Sequence, residues 1–196
     1  MTQNAMLKDT AERPTLSVLV PTIGRPTLAR TLRSLQDLEA ADEVIVIGDG
    51  EQKEAQSEFH RSALPGIYIS VRGPSGDWGH TPRNLVMSRA RGDYLLHMDD
   101  DDYYLPGAVS IIRAALLKQP GLPHLFRMRL GGGILWQRPT ISCGNVSTQM
   151  FVHPNLPDTF GTWKPVYGGD ADFIRETSSR FPDVIWREDV IAVHER

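Results

Sequence analysis

The chain has 196 residues, of which 40% are hydrophobic and 23% are charged, and this balance is ordinary for one globular domain. Its formal net charge of -3 gives no electrostatic footprint for general binding of nucleic acid or of anionic membranes. Cys143 is the only cysteine, which excludes an intrachain disulfide and a zinc site built from several cysteines.

Residues 1–14 are polar and charged, and we expect them to be a flexible lead-in to a single domain over residues 15–196. The lead-in lacks the apolar centre of a secretory signal, and no apolar run in the sequence reaches the length of a membrane span. These features predict a cytoplasmic protein without a membrane span.

The first half of the domain alternates short apolar strands with helical segments. The predicted strands cover residues 16–20, 43–47, 66–71 and 94–98, and the predicted helices cover residues 27–38, 51–63, 81–90 and 106–118. Thr81 and Pro82 are the expected N-cap and first residue of the third helix. Alternation of this kind predicts an α/β fold with a mostly parallel central sheet and helices on both faces.

Four consecutive carboxylates, Asp99 to Asp102, follow the fourth predicted strand. Side chains alternate along an extended segment, so Asp99 and Asp101 are expected on one side and Asp100 and Asp102 on the other. Two anions at the mouth of an apolar core repel each other and lose hydration, which is tolerable only if a cation or hydrogen-bond donors face them. Oxygen ligands favour Mg²⁺ or Mn²⁺ as the cation. Alternatively, the acids form a solvated loop before the helix that Pro106 begins.

Two other predicted strands end in residues that can contact a ligand. Thr22 follows the first strand with Arg25 nearby, and Asp49 lies between two glycines after the second. Because ligands of open parallel sheets bind outside the carboxyl ends of the strands, we expect these residues to share one site with the acidic run. Asp49 is suited to accept hydrogen bonds from ribose hydroxyls or a base N–H, or alternatively to close its own turn.

The glycine-rich loop 73–79 carries Trp78 and leads to Arg83. Arg83 is either a guanidinium suited to a diphosphate or a surface residue of a helix, and Trp78 is either part of the ligand platform or a loop anchor packed on the core. The sequence contains no Walker phosphate loop, no Gly-x-Gly-x-x-Gly and no Gly-x-Ser-x-Gly. Assignments as an NTPase, a dehydrogenase or a serine hydrolase therefore lack their signatures.

Beyond Gly121 the alternation stops, and short strands predict a mixed C-terminal part. The expected elements are a hairpin from residues 124–130 and 134–137, short strands at 148–152, 184–186 and 190–193, and a helix at 168–178.

The order and spacing of these motifs resemble those of family 2 type glycosyltransferases, which have the GT-A fold. The matching segments are residues 16–22 for the opening strand, Gly48-Asp-Gly50 for the second-strand acid, the run from Arg83-Asn84 through Gly92 to Asp99–Asp102 for the Asp-x-Asp motif, and Gly169-Asp-Ala-Asp172 for the later acidic motif. The specificity of the resemblance lies in this order, since no single motif is decisive.

The resemblance implies a role for each matching residue. The residues implied to bind a nucleotide-sugar are Pro21, Thr22, Arg25, Asp49, Trp78, Arg83, Asp99 and Asp100. The residues implied to hold a metal ion are Asp99, Asp101 and His194. Asp170 is the implied general base, or alternatively the N-cap of its helix. Asp172 is an alternative base, because the family usually has an acid directly before the base and Gly169 occupies that place here.

The resemblance implies a metal-dependent, inverting transfer of a sugar from a nucleotide-diphosphate sugar to an acceptor hydroxyl. The expected donor is a UDP-sugar, and the expected cofactor is Mn²⁺ or Mg²⁺. Residues 15–110 would bind the donor and residues 111–196 the acceptor, with the 131–133 turn and the 160–166 loop shaping the acceptor side. A sugar nucleotidyltransferase and a catalytically inactive nucleotide-sugar-binding module are the two alternatives.

Overall fold

The computed structural model describes residues 13–195, so most of the predicted lead-in, residues 1–12, lies outside the described residues. Within residues 13–195, nine strands form one sheet. They are β1 (Leu16–Thr22), β2 (Glu43–Asp49), β3 (Gly66–Val71), β4 (Tyr94–His97), β5 (Asp102–Tyr104), β6 (His124–Leu130), β7 (Gly133–Leu135), β8 (Phe151–Pro154) and β9 (Ile185–His194).

The sheet runs in the order β3-β2-β1-β4-β8-β6-β9-β5, with β7 paired to β6. β1 to β4 are parallel to one another, and β6 is parallel to β9. The pairs β4–β8, β6–β8, β5–β9 and β6–β7 are antiparallel. The predicted α/β fold with a parallel first half and a mixed C-terminal part is confirmed. This topology brings the carboxyl ends of β1, β2 and β4 to one end of the sheet.

Five α-helices accompany the strands within residues 13–195: α1 (Leu28–Arg33), α2 (Lys53–Ser62), α3 (His80–Val86), α4 (Ala108–Lys118) and α5 (Gly169–Ser178). α3 begins at His80 with Gly79 as its N-cap, in the left-handed region at φ 78°, so the predicted cap at Thr81 is wrong. Thr81 cannot cap the helix because its own N–H is inside the first turn and donates to Asp77 Oδ2 at 3.0 Å. Among these helices, none has the length and apolar character that crossing a bilayer requires.

The strand boundaries in the C-terminal part depend on pairing that local sequence does not specify. β5 is formed by residues 102–104, which pair antiparallel with β9 and lie outside every predicted strand. β9 is one strand where two were predicted, since an irregularity in its pairing with β6 accommodates the polar residues 187–189. Residues 148–150 form a short 3-10 helix before β8.

The carboxylate of Asp42 is buried and connects three parts of the chain. Its Oδ1 atom accepts from the N–H of Leu16 at 2.9 Å, at the start of β1. Its Oδ2 atom accepts from the N–H of Glu39 at 2.7 Å and from Arg113 of α4 at 2.6 Å. A buried ion pair of this kind is stable only when complete, because removing one partner leaves the other charge unpaired.

We expect the Asp42→Ala variant to lose about 3–5 kcal/mol of unfolding free energy, since it leaves the buried Arg113 with only the more distant carboxylate of Glu39, at 3.7 Å. Urea denaturation followed by tryptophan fluorescence measures the loss. The control is Arg13→Ala, which breaks an exposed pair with Glu39 and is expected to cost less than about 1 kcal/mol. Equal losses of unfolding free energy in the two variants would show that the buried carboxylate of Asp42 stabilises the fold no more than the exposed pair does.

His97 of β4 and His153 of β8 are fully buried and stack on each other, with 3.0 Å between their Nε2 atoms. His153 Nδ1 lies 3.1 Å from the carbonyl oxygen of Pro154 and donates to it, so His153 Nε2 accepts from His97 Nε2. Burial lowers the pKa of His153 to about 4 and lowers the pKa of His97 well below its ordinary value. Both rings are therefore neutral.

This histidine pair makes stability depend on pH. The unfolded chain protonates His153 near pH 6.5 and the folded chain near pH 4, so the unfolded state binds more protons between these values. The stability contributed by neutral His153 is complete above pH 6.5 and is lost as the pH falls toward 4. Over that range we expect the wild type to lose about 3 kcal/mol more unfolding free energy than the His153→Leu variant does.

Urea titrations of both proteins at pH 6.5 and pH 4 measure this difference. The buried carboxylates elsewhere in the chain are common to both proteins, so their contribution cancels. Equal losses of unfolding free energy in wild type and variant would mean that His153 takes up its proton at the same pH in the folded and the unfolded state.

Candidate active site

Two adjoining clefts lie near the carboxyl ends of the parallel strands. The strand-end cleft, as we call the first, has a volume of about 370 Å³, and its lining includes Pro21, Thr22, Arg25, Asp49, Trp78, Asp99, Asp100, Asp101 and His194. Apart from Arg83, these are all the residues that were assigned from the sequence to a nucleotide-sugar or a metal ion. The structure thus brings together residues that the strand-end argument expected to meet.

Asp49 ends β2, and its side chain fixes the loop 73–79. Both of its oxygens lie 2.9 Å from the N–H of Ser75, and Oδ1 also accepts from Ser75 Oγ at 2.9 Å. A glycine is required at position 73, because a Cβ there would lie 2.2 Å from Asp49 Oδ1. The carboxylate therefore organises the neighbouring loop and does not close its own turn.

The four acids do not alternate, because the backbone turns between Asp99 and Asp102. The N–H of Asp102 donates to the carbonyl oxygen of Asp99 at 3.2 Å, so the prediction of an extended run is wrong. Asp99 and Asp102 consequently share one partner, the side-chain amide of Gln149. The alternative of a solvated loop is also wrong, since Asp100 is 3% exposed and Asp102 is 1% exposed.

Asp100 and Asp101 share Arg25. Arg25 Nη1 lies 2.7 Å from Asp100 Oδ1 and 3.3 Å from Asp101 Oδ2, and Asp100 also accepts from Thr22 Oγ1 at 2.6 Å. Burial raises the pKa of Asp100, and the bonds from Thr22 and Arg25 oppose that rise. The Arg25 side chain is 46% exposed, so its guanidinium is available to an anion in the cleft.

Of the residues assigned to the nucleotide-sugar or the metal ion, only Arg83 lies outside the lining of the strand-end cleft. Its side chain is 1% exposed, and its guanidinium donates to the carbonyl oxygens of Trp78 and Met98 and to the carboxylate of Asp99. Its Cζ atom lies 4.9 Å from the centroid of the Trp163 ring. Arg83 is therefore not a surface residue of its helix, which was one of the two alternatives. Its buried guanidinium holds Trp78 and Asp99 in place, and this role differs from the predicted contact with a diphosphate.

His194 lies opposite Asp102 because β9 pairs antiparallel with β5. His194 Nδ1 and Asp102 Oδ1 are 2.5 Å apart, and one ligand atom from each of Asp101, Asp102 and His194 lies within 4.8 Å of the others. Burial, with repulsion from Asp99 and Asp101, raises the pKa of Asp102 to about 9. A divalent cation would offset that repulsion, so these oxygen and imidazole donors fit the metal ion that the resemblance implies. The group contains Asp102 in the place of Asp99, which was the implied ligand.

The lateral cleft, as we call the second, has a volume of about 240 Å³ and adjoins the first, because Trp78, Asp99 and His194 line both. Much of its remaining lining is uncharged, including Met128, Leu130, Leu135, Val146, Val166 and Tyr167. Of the segments expected to shape an acceptor side, the 160–166 loop contributes Val166, whereas the 131–133 turn does not reach the lining.

Asp170 lines the lateral cleft from the first turn of α5. Gly168 is the N-cap of this helix, so Asp170 does not have the capping role that was considered for it. Its Oδ1 atom accepts from the N–H of Ala171 at 2.8 Å. Burial raises the pKa of Asp170 despite this bond, and the charge of Asp99 adds to the rise. A carboxylate of this kind in a cavity is suited to accept a proton.

Asp172 lies outside the lining of both clefts. It pairs with Arg175 at 2.5 Å and lies 3.8 Å from Lys164 Nζ. Its carboxylate is thus already engaged by two basic side chains on the outside of the helix. The geometry therefore favours Asp170 over Asp172 as a base.

Gly169 occupies a position without room for a side chain. A Cβ there would lie 2.4 Å from the carbonyl oxygen of Lys164 and 2.9 Å from His80 Cε1. His80 Nδ1 donates to the same carbonyl at 2.5 Å, and its ring stacks on Trp163. Burial, with the charge of Arg83, lowers the pKa of His80, so this imidazole is neutral. Packing therefore explains why no acid precedes Asp170.

Sequence reasoning missed two contributors to the site. Gln149 is buried and donates to Asp99 at 2.8 Å and to Asp102, but an amide inside a predicted strand gives no recognisable pattern. Tyr167 is 84% exposed at the lateral cleft, and its position next to Gly168 was the one available signal that it lies in a turn.

Comparison with known proteins gives consistent results. A model of the family described as Glycosyl transferase family 2 matches residues 17–166. The GalNAc(5)-diNAcBac-PP-undecaprenol beta-1,3-glucosyltransferase of Campylobacter jejuni is 29% identical over 122 residues, which are 58% of this chain and 37% of that protein. The chain thus spans little more than a third of the length of this curated relative.

Solved structures share the fold at low sequence identity. S. aureus TarS has a TM-score of 0.75 and 19% identity, over 93% of this chain and 37% of TarS. TarS 1-349 in complex with UDP-GlcNAc has a TM-score of 0.75 and 21% identity, over 93% of this chain and 59% of that one. The mannosyltransferase PcManGT from Pyrobaculum calidifontis, in complex with GDP-Man and Mn²⁺, has a TM-score of 0.70 and 17% identity, over 93% and 57%. The predicted GT-A fold is confirmed.

Proposed function

Since the chain belongs to glycosyl transferase family 2, we propose that it transfers a sugar from a nucleotide-diphosphate sugar to an acceptor hydroxyl. The observation that carries this proposal is the junction of the two clefts at Trp78, Asp99 and His194. Transfer requires the donor and the acceptor to be held side by side, and two cavities that meet at an acidic cluster supply that arrangement.

We propose a UDP-sugar as the donor, bound in the strand-end cleft. TarS 1-349 was crystallised with UDP-GlcNAc and with UDP, whereas PcManGT was crystallised with GDP-Man. Thr22 and Asp49 end the adjacent strands β1 and β2 and line the cleft, where ribose hydroxyls and a base would meet oxygen acceptors. The partly exposed guanidinium of Arg25 offers positive charge to the diphosphate.

The proposed cofactor is Mn²⁺ or Mg²⁺, which Asp101, Asp102 and His194 would hold. The complex of PcManGT with Mn²⁺ supports this choice by fold likeness. When bound, the ion supplies positive charge that stabilises the departing diphosphate. The chain's own residues orient the cluster: Gln149 donates to Asp102, and Arg25 holds Asp101 at 3.3 Å.

Asp170 is the proposed general base. The acceptor hydroxyl in the lateral cleft gives its proton to a carboxylate oxygen of Asp170, and the freed oxygen forms a bond to the anomeric carbon as the bond to the diphosphate breaks. One base and one displacement invert the anomeric configuration. The proposal is supported by the position of Asp170 in the cleft next to the one assigned to the donor.

A thermal-shift panel of nucleotide-sugars, with and without Mn²⁺, tests the donor assignment. A ligand that binds the folded state raises the melting temperature, and we expect the largest rise with a UDP-sugar together with Mn²⁺. Turnover is then measured as release of nucleoside diphosphate. Binding without turnover would indicate the inactive binding module, and pyrophosphate release from an NTP and a sugar phosphate would indicate a nucleotidyltransferase.

A further inference from the structure

The lateral cleft also indicates which class of acceptor it takes. We propose that it selects an uncharged saccharide and that Trp78 and Tyr167 stack on the sugar ring. The inference rests on the proposed function, because it assigns an acceptor to the cleft that contains Asp170.

Trp78 and Tyr167 are large aromatic side chains that folding leaves in water. Tyr167 is 84% exposed and Trp78 is 63% exposed, and both line the lateral cleft. The exposure of Trp78 shows that it is not a loop anchor packed on the core. Aromatic rings gain free energy when they leave water, so two of them exposed at one cavity provide a surface for a ligand with apolar faces.

The backbone holds Trp78 in a conformation that large side chains rarely adopt. Its φ is 58°, in the left-handed region, where a Cβ crowds the following carbonyl. Arg83 Nη1 donates to the carbonyl oxygen of Trp78 at 3.2 Å, and Asp77 binds the N–H of Thr81 just beyond it. A conformation of this kind persists where surrounding contacts enforce it, and here those contacts keep an indole at the junction of the clefts.

The charges around the lateral cleft disfavour an anionic acceptor. Asp99, Asp102 and Asp170 line it, and no arginine or lysine is among the described residues of its lining. Lys164 is two residues before Val166, which lines the cleft, but its Nζ atom lies 3.8 Å from Asp172 Oδ2. A phosphate group on the acceptor would face the carboxylates of Asp99 and Asp170, with no arginine or lysine in the described lining to pair with it.

A saccharide fits this combination of groups better than a lipid chain does. The faces of a sugar ring carry C–H groups that contact aromatic rings, and its hydroxyls donate to carboxylates. A lipid chain would cover Asp99 and Asp170 without giving them a hydrogen-bond donor, which carries a desolvation cost.

The test uses saturation-transfer NMR on the full chain with UDP and Mg²⁺ present. The probes are the methyl β-glycosides of glucose, galactose, N-acetylglucosamine and N-acetylgalactosamine, with glucose 6-phosphate as the anionic counterpart. Diamagnetic Mg²⁺ replaces Mn²⁺ in these spectra, because Mn²⁺ broadens the proton signals of nearby ligands. We expect saturation transfer to the ring C–H protons of at least one neutral glycoside and none to glucose 6-phosphate. Binding of glucose 6-phosphate as tight as that of the neutral glycosides overturns the inference.

Variants of Tyr167 test whether this side chain contacts the glycoside. Tyr167→Ala is expected to weaken glycoside binding about tenfold, whereas Tyr167→Phe keeps the ring and is expected to bind as the wild type does. Leu156→Ala is the control, since Leu156 is 50% exposed and lies outside the lining of both clefts. Unchanged binding in Tyr167→Ala overturns the inference.

Donor binding is measured on the same proteins by the nucleotide-sugar thermal shift. If the donor shift is present and no glycoside binds, the acceptor inference fails alone. If no nucleotide-sugar shifts the melting temperature of the wild type, the proposed function fails, and the acceptor role fails with it.

Discussion

The Asp170→Asn variant is expected to transfer sugar about 100- to 10,000-fold more slowly than the wild type, while it binds the donor as before. Asp170 lines the lateral cleft, and burial raises its pKa, so its carboxylate can take up the acceptor proton. Asparagine keeps the size of the side chain but cannot accept that proton at neutral pH. The loss should therefore appear in kcat, with the KM for the donor little changed.

Release of nucleoside diphosphate at several donor concentrations separates kcat from KM. The matched control is Asp172→Asn, a carboxylate in the same helix turn that pairs with Arg175 and lies outside both clefts. We expect this control to stay close to the wild-type rate. A large loss in Asp172→Asn together with a normal rate in Asp170→Asn would assign the base to Asp172.

The pH profile gives an independent check on Asp170. A general base acts only when it is deprotonated, so kcat should fall as the pH drops through the raised pKa of Asp170. In Asp170→Asn the residual rate should lack this acidic limb. An acidic limb that persists unchanged in the variant would point to another group.

The Asp101→Asn variant is expected to lose Mn²⁺-stimulated transfer by about 100-fold or more. Asp101 supplies one of the three ligand atoms that lie within 4.8 Å of one another, and an amide is a weaker ligand than a carboxylate. Without metal, the variant should melt at the same temperature as the wild type or higher, because repulsion within the acidic cluster falls. Loss of activity with an intact fold is therefore the expected signature.

A Mn²⁺ titration of the transfer rate, together with a melting curve, measures both quantities. Glu188→Gln is the control, because Glu188 is an exposed carboxylate that pairs with Arg127 at 3.4 Å outside both clefts. Normal Mn²⁺ stimulation in Asp101→Asn would show that the ion is held by other residues.

Most of the strand-end cleft can be predicted from the sequence, for a physical reason. Parallel strands bring their carboxyl ends to the same place, so Thr22, Asp49 and Asp100 meet whatever the details of the loops. Local periodicity locates β1, β2 and β4, because each is a short apolar run that is buried along its whole length. The fold class follows from the same alternation of strands and helices.

The remaining details depend on contacts between distant segments. The pairing of Asp102 with His194 requires the β5–β9 register, and the three-residue strand β5 exists only because β9 lies beside it. The burial of Arg83 depends on Trp163, which lies far along the chain. A turn, closed by a backbone hydrogen bond between Asp99 and Asp102, breaks the alternation of the acids. A run of four identical residues in the sequence gives no sign of this turn.

The crowding around Gly169 bears on which substitutions position 169 can accept during evolution. An acidic side chain there would collide with His80 and with the carbonyl oxygen of Lys164, so it becomes tolerable only after the 164 segment has moved and position 80 has become smaller. Positions 80 and 169 should therefore covary across the lineage, and an ancestor reconstructed with the acid should carry a smaller residue than histidine at position 80.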